Sequence, residues 1–214
     1  MEASTPRRST DWVAPATGIV FAVLLAITLI LAGEGVDPKD GVDEVVEYYT
    51  DNEDQILISG FLGGLAVVFF LFFAGWVRKV LREAEGPGGM LSAVSYAGAI
   101  VFAVGGAVAS TLSVGLAESF DDVDPTALEA MNAIAYNYFI PFAVGFSVFL
   151  LATGISSVRH GALPGWLGWS AIVLGIATYT PAGFFTFLLS LVWVLVASVV
   201  LTMRARTGDR AASA

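Results

Sequence analysis

The chain of 214 residues contains no cysteine, a single histidine and only two lysines. Without cysteine it forms no disulfide, no thiolate nucleophile and no cysteine metal site. His160 follows Arg159 in a predicted loop, so a haem held by paired histidines inside a membrane has no ligands. Lys39 and Lys79 also lie in predicted loops, which excludes a retinal Schiff base buried in a helical bundle.

Charged residues are scarce as well, at 14% of the chain, whereas soluble domains carry roughly 25%. Hydrophobic residues make up 57%, and the mean hydropathy is +0.79. This composition indicates that lipid surrounds most of the chain. No acidic or basic residue lies near the middle of a predicted span, which disfavours a transporter driven by protons or sodium through a midplane carboxylate. Hydrolase, metalloprotease and nucleotide-binding motifs are missing too, so we predict a protein without catalytic residues, cofactor, metal or nucleic-acid partner.

Uncharged runs delimit the predicted membrane spans. The last run, 161–203, is 43 residues long and would reach ~64 Å as one helix, about twice the ~30 Å hydrocarbon core. It must therefore fold back, and Pro181 next to Gly183 supplies the break. The sequence predicts one all-α domain, a bundle of six transmembrane helices, with spans at about 12–33, 55–77, 90–117, 131–157, 163–180 and 183–203.

The basic residues predict the orientation of this bundle. With six spans, nine of the ten basic residues fall on one side, and only Lys39 falls on the other. An excess of Lys and Arg in short loops marks the cytoplasmic side. We therefore predict a multi-pass plasma-membrane protein with both termini in the cytoplasm. The nine residues are Arg7, Arg8, Arg78, Lys79, Arg82, Arg159, Arg204, Arg206 and Arg210.

The segments outside the spans are few. The acidic loop 34–54 is predicted to be extracellular and to contain a short amphipathic helix, which would lie across the mouth of the bundle or along the headgroups. Its apolar residues recur at helical spacing, and Asp40 is a candidate N-cap. Residues 204–214 are predicted to form a flexible cytoplasmic tail.

Polar residues inside the third and fourth spans suggest a pocket. In the fourth span Pro141 lacks an N–H, which would free the carbonyl of Asn137 to bind a ligand. The alternative is an interfacial belt of aromatic residues and a packing kink, with small residues making the third span the central packing element. The candidate pocket residues are Asn132, Tyr136, Asn137, Tyr138, Ser110, Thr111 and Ser113.

Two sequence stretches carry a family resemblance. One runs from Glu47 through Tyr48 and Tyr49 to Gly64, and the other is the turn 161–169, which contains two tryptophans. With the six-span layout, they resemble a group of small multi-pass membrane proteins of unknown function that is frequent in actinobacteria. The resemblance implies the topology and brings no activity with it.

Three functional hypotheses follow from these observations. The first is a non-enzymatic membrane protein that binds or organises lipid, another membrane subunit or a second copy of itself. The second is a small permease or channel for a neutral or weakly polar solute. The third is an enzyme acting on lipid headgroups, which requires Glu118 or Glu129 within hydrogen-bond reach of a pocket residue.

Overall fold

The computed structural model describes residues 12–180 and 182–212, with side chains up to Thr207. Arg7, Arg8 and Pro181, on which part of the sequence prediction depends, lie outside the described residues, as does the side chain of Arg210. Within the described residues the chain is an all-α bundle without strands, as predicted. Its seven helices are α1 Val13–Ala32, α2 Val42–Glu85, α3 Leu91–Ser119, α4 Pro125–Tyr136, α5 Ile140–His160, α6 Gly165–Ala177 and α7 Gly183–Ala212.

In the part of the chain that the structure describes, five helical stretches are long and apolar enough to span a membrane. They are Val13–Ala32, Val42–Glu85, Leu91–Ser119, Pro125–His160 and Gly183–Thr207. The remaining helix, α6, has 13 residues, and at 1.5 Å per residue it reaches only ~20 Å. The chain is thus a membrane-embedded helical bundle in which α6 is shorter than a full span.

Helix α2 corrects the predicted first loop. The amphipathic segment is not a separate helix across the mouth of the bundle, because it is the first part of α2, which continues for 44 residues. No proline interrupts this stretch, and its apolar residues Val45, Tyr49 and Ile56 remain buried as the helix enters the bundle. The residue before the helix is Gly41 rather than Asp40, and no side chain caps this end.

The fourth predicted span, 131–157, is also corrected. The helix is broken between Tyr136 and Ile140, so residues 125–136 form α4 and Pro141 lies in the first turn of α5. A proline is tolerated there because the first N–H groups of a helix have no partner within the helix. The side chain of Asp124 caps α4 by accepting a hydrogen bond from the Thr126 N–H.

The chain end differs from its prediction too. Helix α7 continues to Ala212, so residues 204–212 are helical where we predicted a flexible tail. The Arg206 guanidinium lies 4.4 Å from the centre of the Trp12 ring, which brings the two ends of the described chain to the same end of the bundle. We call this the basic end and the opposite one the cap end.

The core of the bundle is built on phenylalanine rings. Phe70 of α2 is fully buried, and its ring centre lies 4.8 Å from those of Phe21 and Phe102 and 5.4 Å from that of Phe149. Edge-to-face contacts of this kind stabilise beyond the buried area alone. Helix α3 packs closely on α5, because a Cβ added to Gly98 would come within 2.8 Å of the Gly145 carbonyl oxygen. Small residues permit this approach, as predicted for the third span.

A second, smaller hydrophobic cluster lies at the cap end. The first part of α2, the last turn of α3 and α4 bury Val45, Tyr49, Leu116, Phe120 and Leu128 against one another. We call residues 33–57 and 116–136 the acidic cap, since they hold 14 of the 19 acidic residues of the chain and a single lysine, Lys39. The cap places α4 directly beside the outer ends of the long helices.

Candidate functional site

A cavity of about 300 Å³ lies next to the acidic cap. It is bounded by the cap-end halves of α1, α2, α3 and α7, by the end of α4 and by the start of α5. The space exists because α2 and α3 present small residues to it, among them Gly60, Gly63, Gly106 and Ala109. The cavity is therefore part of how these helices are packed.

Most of the cavity wall is apolar and aromatic. At its deep end, phenylalanines of the bundle core form the wall, and Phe142 and Phe187 continue it towards the cap. No acidic or basic side chain is found among the described residues that line it. Such a wall suits an apolar ligand, because binding sites for small molecules are mostly apolar with a few placed polar groups.

Hydroxyl groups supply the polar part of the wall. Thr28 donates a hydrogen bond to the Leu24 carbonyl at 3.0 Å, and Ser59 donates to the Ile56 carbonyl at 2.9 Å. Both hydroxyls therefore present only acceptor lone pairs to the cavity. Ser110 and Ser113 of α3 also line it, and the Ser110 Oγ lies near Gly63 of α2. A serine hydroxyl can both donate and accept a hydrogen bond.

The cavity is open at one side. Tyr136, Phe139 and Phe184 line it and remain 51%, 40% and 59% exposed. They belong to the end of α4, the following turn and the start of α7, so the opening lies near the cap end of the bundle. The cavity is thus open to the outside of the bundle at this end.

The structure divides the predicted polar pocket. Four of its seven residues line the cavity: Ser110, Ser113, Tyr136 and Tyr138. Thr111 instead faces away from the cavity, exposed, and its hydroxyl donates to the Ala107 carbonyl at 2.9 Å. The adjacent positions 110 and 111 differ because they lie on different faces of one helix.

The prediction that the Asn137 carbonyl is free to bind a ligand is wrong. Asn137 follows the last residue of α4, and its carbonyl accepts the Phe139 N–H at 2.8 Å. Its side chain is exposed and donates to the Ala133 carbonyl at 2.8 Å. Pro141 therefore lies in the first turn of a new helix rather than kinking a continuous one, and the N–H groups of Asn137, Tyr138 and Phe139 at the break donate to nearby carbonyls.

Asn132 belongs to the acidic cap and not to the cavity. Its side-chain oxygen accepts a hydrogen bond from the Tyr49 hydroxyl at 3.2 Å, and its amide donates to the Val36 carbonyl at 3.2 Å. The neighbouring Tyr48 hydroxyl donates to the Ala32 carbonyl at the end of α1. Burial, with a smaller contribution from Tyr48, raises the pKa of Tyr49 to about 12. These bonds tie α1, α2 and α4 together, so Asn132 is structural.

A polar junction at the basic end was not found from the sequence. The Ser156 hydroxyl donates to Glu85 Oε1 at 2.6 Å, and the Ser92 N–H donates to Glu85 Oε2 at 3.2 Å. One turn deeper, the hydroxyls of Ser95 and Thr153 are hydrogen-bonded at 2.8 Å. A carboxylate at the start of α3 is also favoured by the helix dipole. The junction joins α2, α3 and α5, and the sequence signal for it was the acidic residue in the last turn of α2.

Glu118 and Glu129, which the enzyme hypothesis requires, do not line the cavity. Among residues 12–180 and 182–212, no group of three or more histidine, aspartate or glutamate side chains is arranged to hold a metal ion. The permease and enzyme hypotheses stay predictions, since four of the predicted pocket residues line the cavity while Thr111, Asn132 and Asn137 do not.

Comparison with family models, with curated proteins and with solved structures finds no match to this chain. The resemblance to the actinobacterial group stays a prediction.

Proposed function

We propose that this chain is a non-enzymatic plasma-membrane protein that binds a lipid-like molecule in the cavity beside the acidic cap. The observation that carries the proposal is the cavity itself, with its phenylalanine wall and its opening between Tyr136, Phe139 and Phe184. Its volume of about 300 Å³ is twice that of a ~150 Å³ apolar cavity able to bind benzene or xenon.

The proposal includes six spans, with α6 and its flanking residues as the fifth, and with both termini in the cytoplasm. The distribution of Lys and Arg supports this orientation, because Lys39 is the one basic side chain among the described residues that lies away from the basic end. The acidic cap is then extracellular. Since the chain has no cysteine, a cysteine introduced at Asp40 should react with a membrane-impermeant maleimide in intact cells, and reaction at position 82 instead would contradict the orientation.

Binding from a bilayer has a different origin from binding out of water. A lipid chain that enters the cavity leaves surroundings that are already apolar, so it gains little from the hydrophobic effect. It gains dispersion contacts with fixed phenylalanine rings and hydrogen bonds with hydroxyls that lipid tails cannot offer. The absence of acidic, basic and histidine side chains from the described cavity lining supports binding rather than catalysis, since these are the side chains that most often carry out general acid–base chemistry.

The experiment compares two adjacent substitutions on α3. Ser110→Leu fills part of the cavity, whereas Thr111→Leu makes the same kind of change on the exposed face of the helix. Each variant is purified in mild detergent, and the lipid that remains bound is counted by native mass spectrometry. We expect lipid on the wild type and on Thr111→Leu, and a loss of at least ~80% on Ser110→Leu, as expected for a ~1 kcal/mol change in binding.

Equal lipid on all three proteins would contradict the proposal. The thermal unfolding midpoint of each variant is the control for folding. If Ser110→Leu unfolds early, Ala109→Leu on the same helix is used instead, because Ala109 also lines the cavity.

A further inference from the structure

We infer that the ligand of the cavity is an uncharged lipid with a free hydroxyl group, of the diacylglycerol class, and that it is held with the hydroxyl towards the acidic cap. This inference rests on the proposed function and adds the chemistry and the direction of the ligand. Three features of the cavity carry it: its polarity gradient, the kind of polar groups it presents, and the charge around its opening.

The polarity of the wall changes along the cavity. Phe21 and Phe102 form its deep end, near the middle of the bundle, while Thr28, Ser110 and Ser113 lie towards the cap end. Along α3, the 11 residues from Phe102 to Ser113 correspond to ~16 Å, close to half of the ~30 Å hydrocarbon thickness. A lipid in the leaflet on the cap side has the same gradient, with its tail at the midplane and its polar group near the surface.

The hydroxyl groups of the cavity wall suit a ligand that carries one small uncharged polar group. The Ser110 and Ser113 hydroxyls can donate and accept, whereas Thr28 and Ser59 have already used their donors on their own helices. A lipid hydroxyl can donate to the acceptors and accept from the serine donors, and ester carbonyls can accept from the rest. A hydrocarbon without a polar group would offer no hydrogen-bond partner to the Ser110 and Ser113 hydroxyls, which costs free energy in an apolar site.

The charges around the opening exclude an anionic headgroup. No basic side chain is present among the described residues that line the cavity, so a phosphate placed there would have no counter-charge. The acidic cap beside the opening adds exposed carboxylates such as Glu34 and Glu118, and it contains only Lys39 as a basic residue. Phosphatidylglycerol and related anionic lipids therefore pay both desolvation and repulsion that diacylglycerol does not pay.

The test uses lipids with identical tails. Purified protein is incubated with equimolar dioleoylglycerol, its 3-O-methyl ether and dioleoylphosphatidylglycerol, and bound lipid is measured by native mass spectrometry. We expect dioleoylglycerol to exceed both competitors by about tenfold, which is the effect of ~1.4 kcal/mol. The double substitution Ser110→Ala with Ser113→Ala should remove the preference for the free hydroxyl over its methyl ether, while Thr111→Ala should leave it unchanged.

The outcomes separate this inference from the proposed function. Phosphatidylglycerol bound as well as dioleoylglycerol, and lost on Ser110→Leu, would overturn the ligand class and leave lipid binding in the cavity intact. A preference for the free hydroxyl that survives the double serine substitution would overturn the assigned orientation. Failure of all three lipids to bind the wild type, or binding unaffected by Ser110→Leu, would overturn both.

Discussion

The bundle core and the acidic cap are both hydrophobic clusters, but they are stabilised in different ways. In the core, phenylalanine rings and helix backbones meet at close range, with Phe70 completely enclosed. In the cap, a few apolar residues are supplemented by hydrogen bonds between side chains far apart in sequence, such as Tyr49 and Asn132. Lipid tails are as apolar as leucine, so a core residue is stabilised by close packing against its neighbours rather than by leaving its surroundings. A cap residue in water is stabilised by ~25 cal/mol for each Å² of apolar surface that it buries.

The largest effect is expected at the centre of the core. Phe70→Ala should lower the free energy of unfolding by about 3–5 kcal/mol, because removal of the ring leaves a cavity that the five neighbouring phenylalanine rings cannot fill. Phe72, two residues along α2 and 62% exposed, is the matched control. Phe72→Ala should change the free energy of unfolding by less than ~0.5 kcal/mol. Equilibrium unfolding in mixed detergent micelles measures both. Equal losses of unfolding free energy for Phe70→Ala and Phe72→Ala would show that close packing of the rings does not stabilise the core.

A smaller loss is expected from one added methyl group. A Cβ on Gly145 would collide with the backbone of Phe102, so Gly145→Ala should push α3 and α5 apart and cost about 1–3 kcal/mol. In the cap segment, Gly35→Ala makes the same chemical change where the nearest atom is an ordinary 3.7 Å away. The thermal unfolding midpoints should therefore fall for Gly145→Ala and stay near wild type for Gly35→Ala. A larger fall in the unfolding midpoint for Gly35→Ala than for Gly145→Ala would contradict the close contact between α3 and α5.

The third effect concerns the acidic cap alone and depends on pH. The pKa of Tyr49 is raised by burial from 10.0 to about 12, so the folded protein holds this proton more tightly than the unfolded chain does. Its contribution is fully present below pH 10 and is lost as the pH rises through 12, at no more than ~1.4 kcal/mol per pH unit. Amide hydrogen exchange in α4 cannot be used at this pH. The stability is therefore measured from unfolding curves followed by circular dichroism.

Tyr49→Phe is the control for that titration. It removes the hydroxyl and its bond to Asn132, and it should flatten the fall in stability between pH 10 and 12 relative to wild type. Tyr179→Phe, at a tyrosine that is 61% exposed, should leave the wild-type slope. An identical slope in all three proteins would place the alkaline loss outside the cap.

The long apolar helices could be predicted from the sequence because their ends depend on local residues. Helix α1 begins and ends within one residue of its predicted span, and α3 begins within one residue. Gly161, at positive φ, ends α5 two residues after its uncharged run gives way to Arg159, whereas α2 continues past its uncharged run to Gly86, which is also at positive φ. In each case the deciding residues are neighbours in the chain.

The rest of the arrangement depends on residues that are distant in the chain. The extension of α2 was missed because the amphipathic segment was treated as separate from the apolar run, although no proline lies between them. The burial of Asn132 depends on Tyr49, 83 residues away, and no spacing rule connects the two. Likewise, small residues on every face of α3 do not tell which of Ser110 and Thr111 faces the bundle. Only the rotation of α3 against α2 settles that.

Helix α2 is continuous from Val42 to Glu85, so a tilt of the helix displaces its two ends by different amounts. At 1.5 Å per residue its 44 residues measure ~66 Å, so a tilt of only about 10° displaces one tip sideways by roughly 11 Å relative to the other. Because α2 is continuous and contains no proline, a displacement at Val42 is passed along one helix to Arg78 and Arg82 at the basic end.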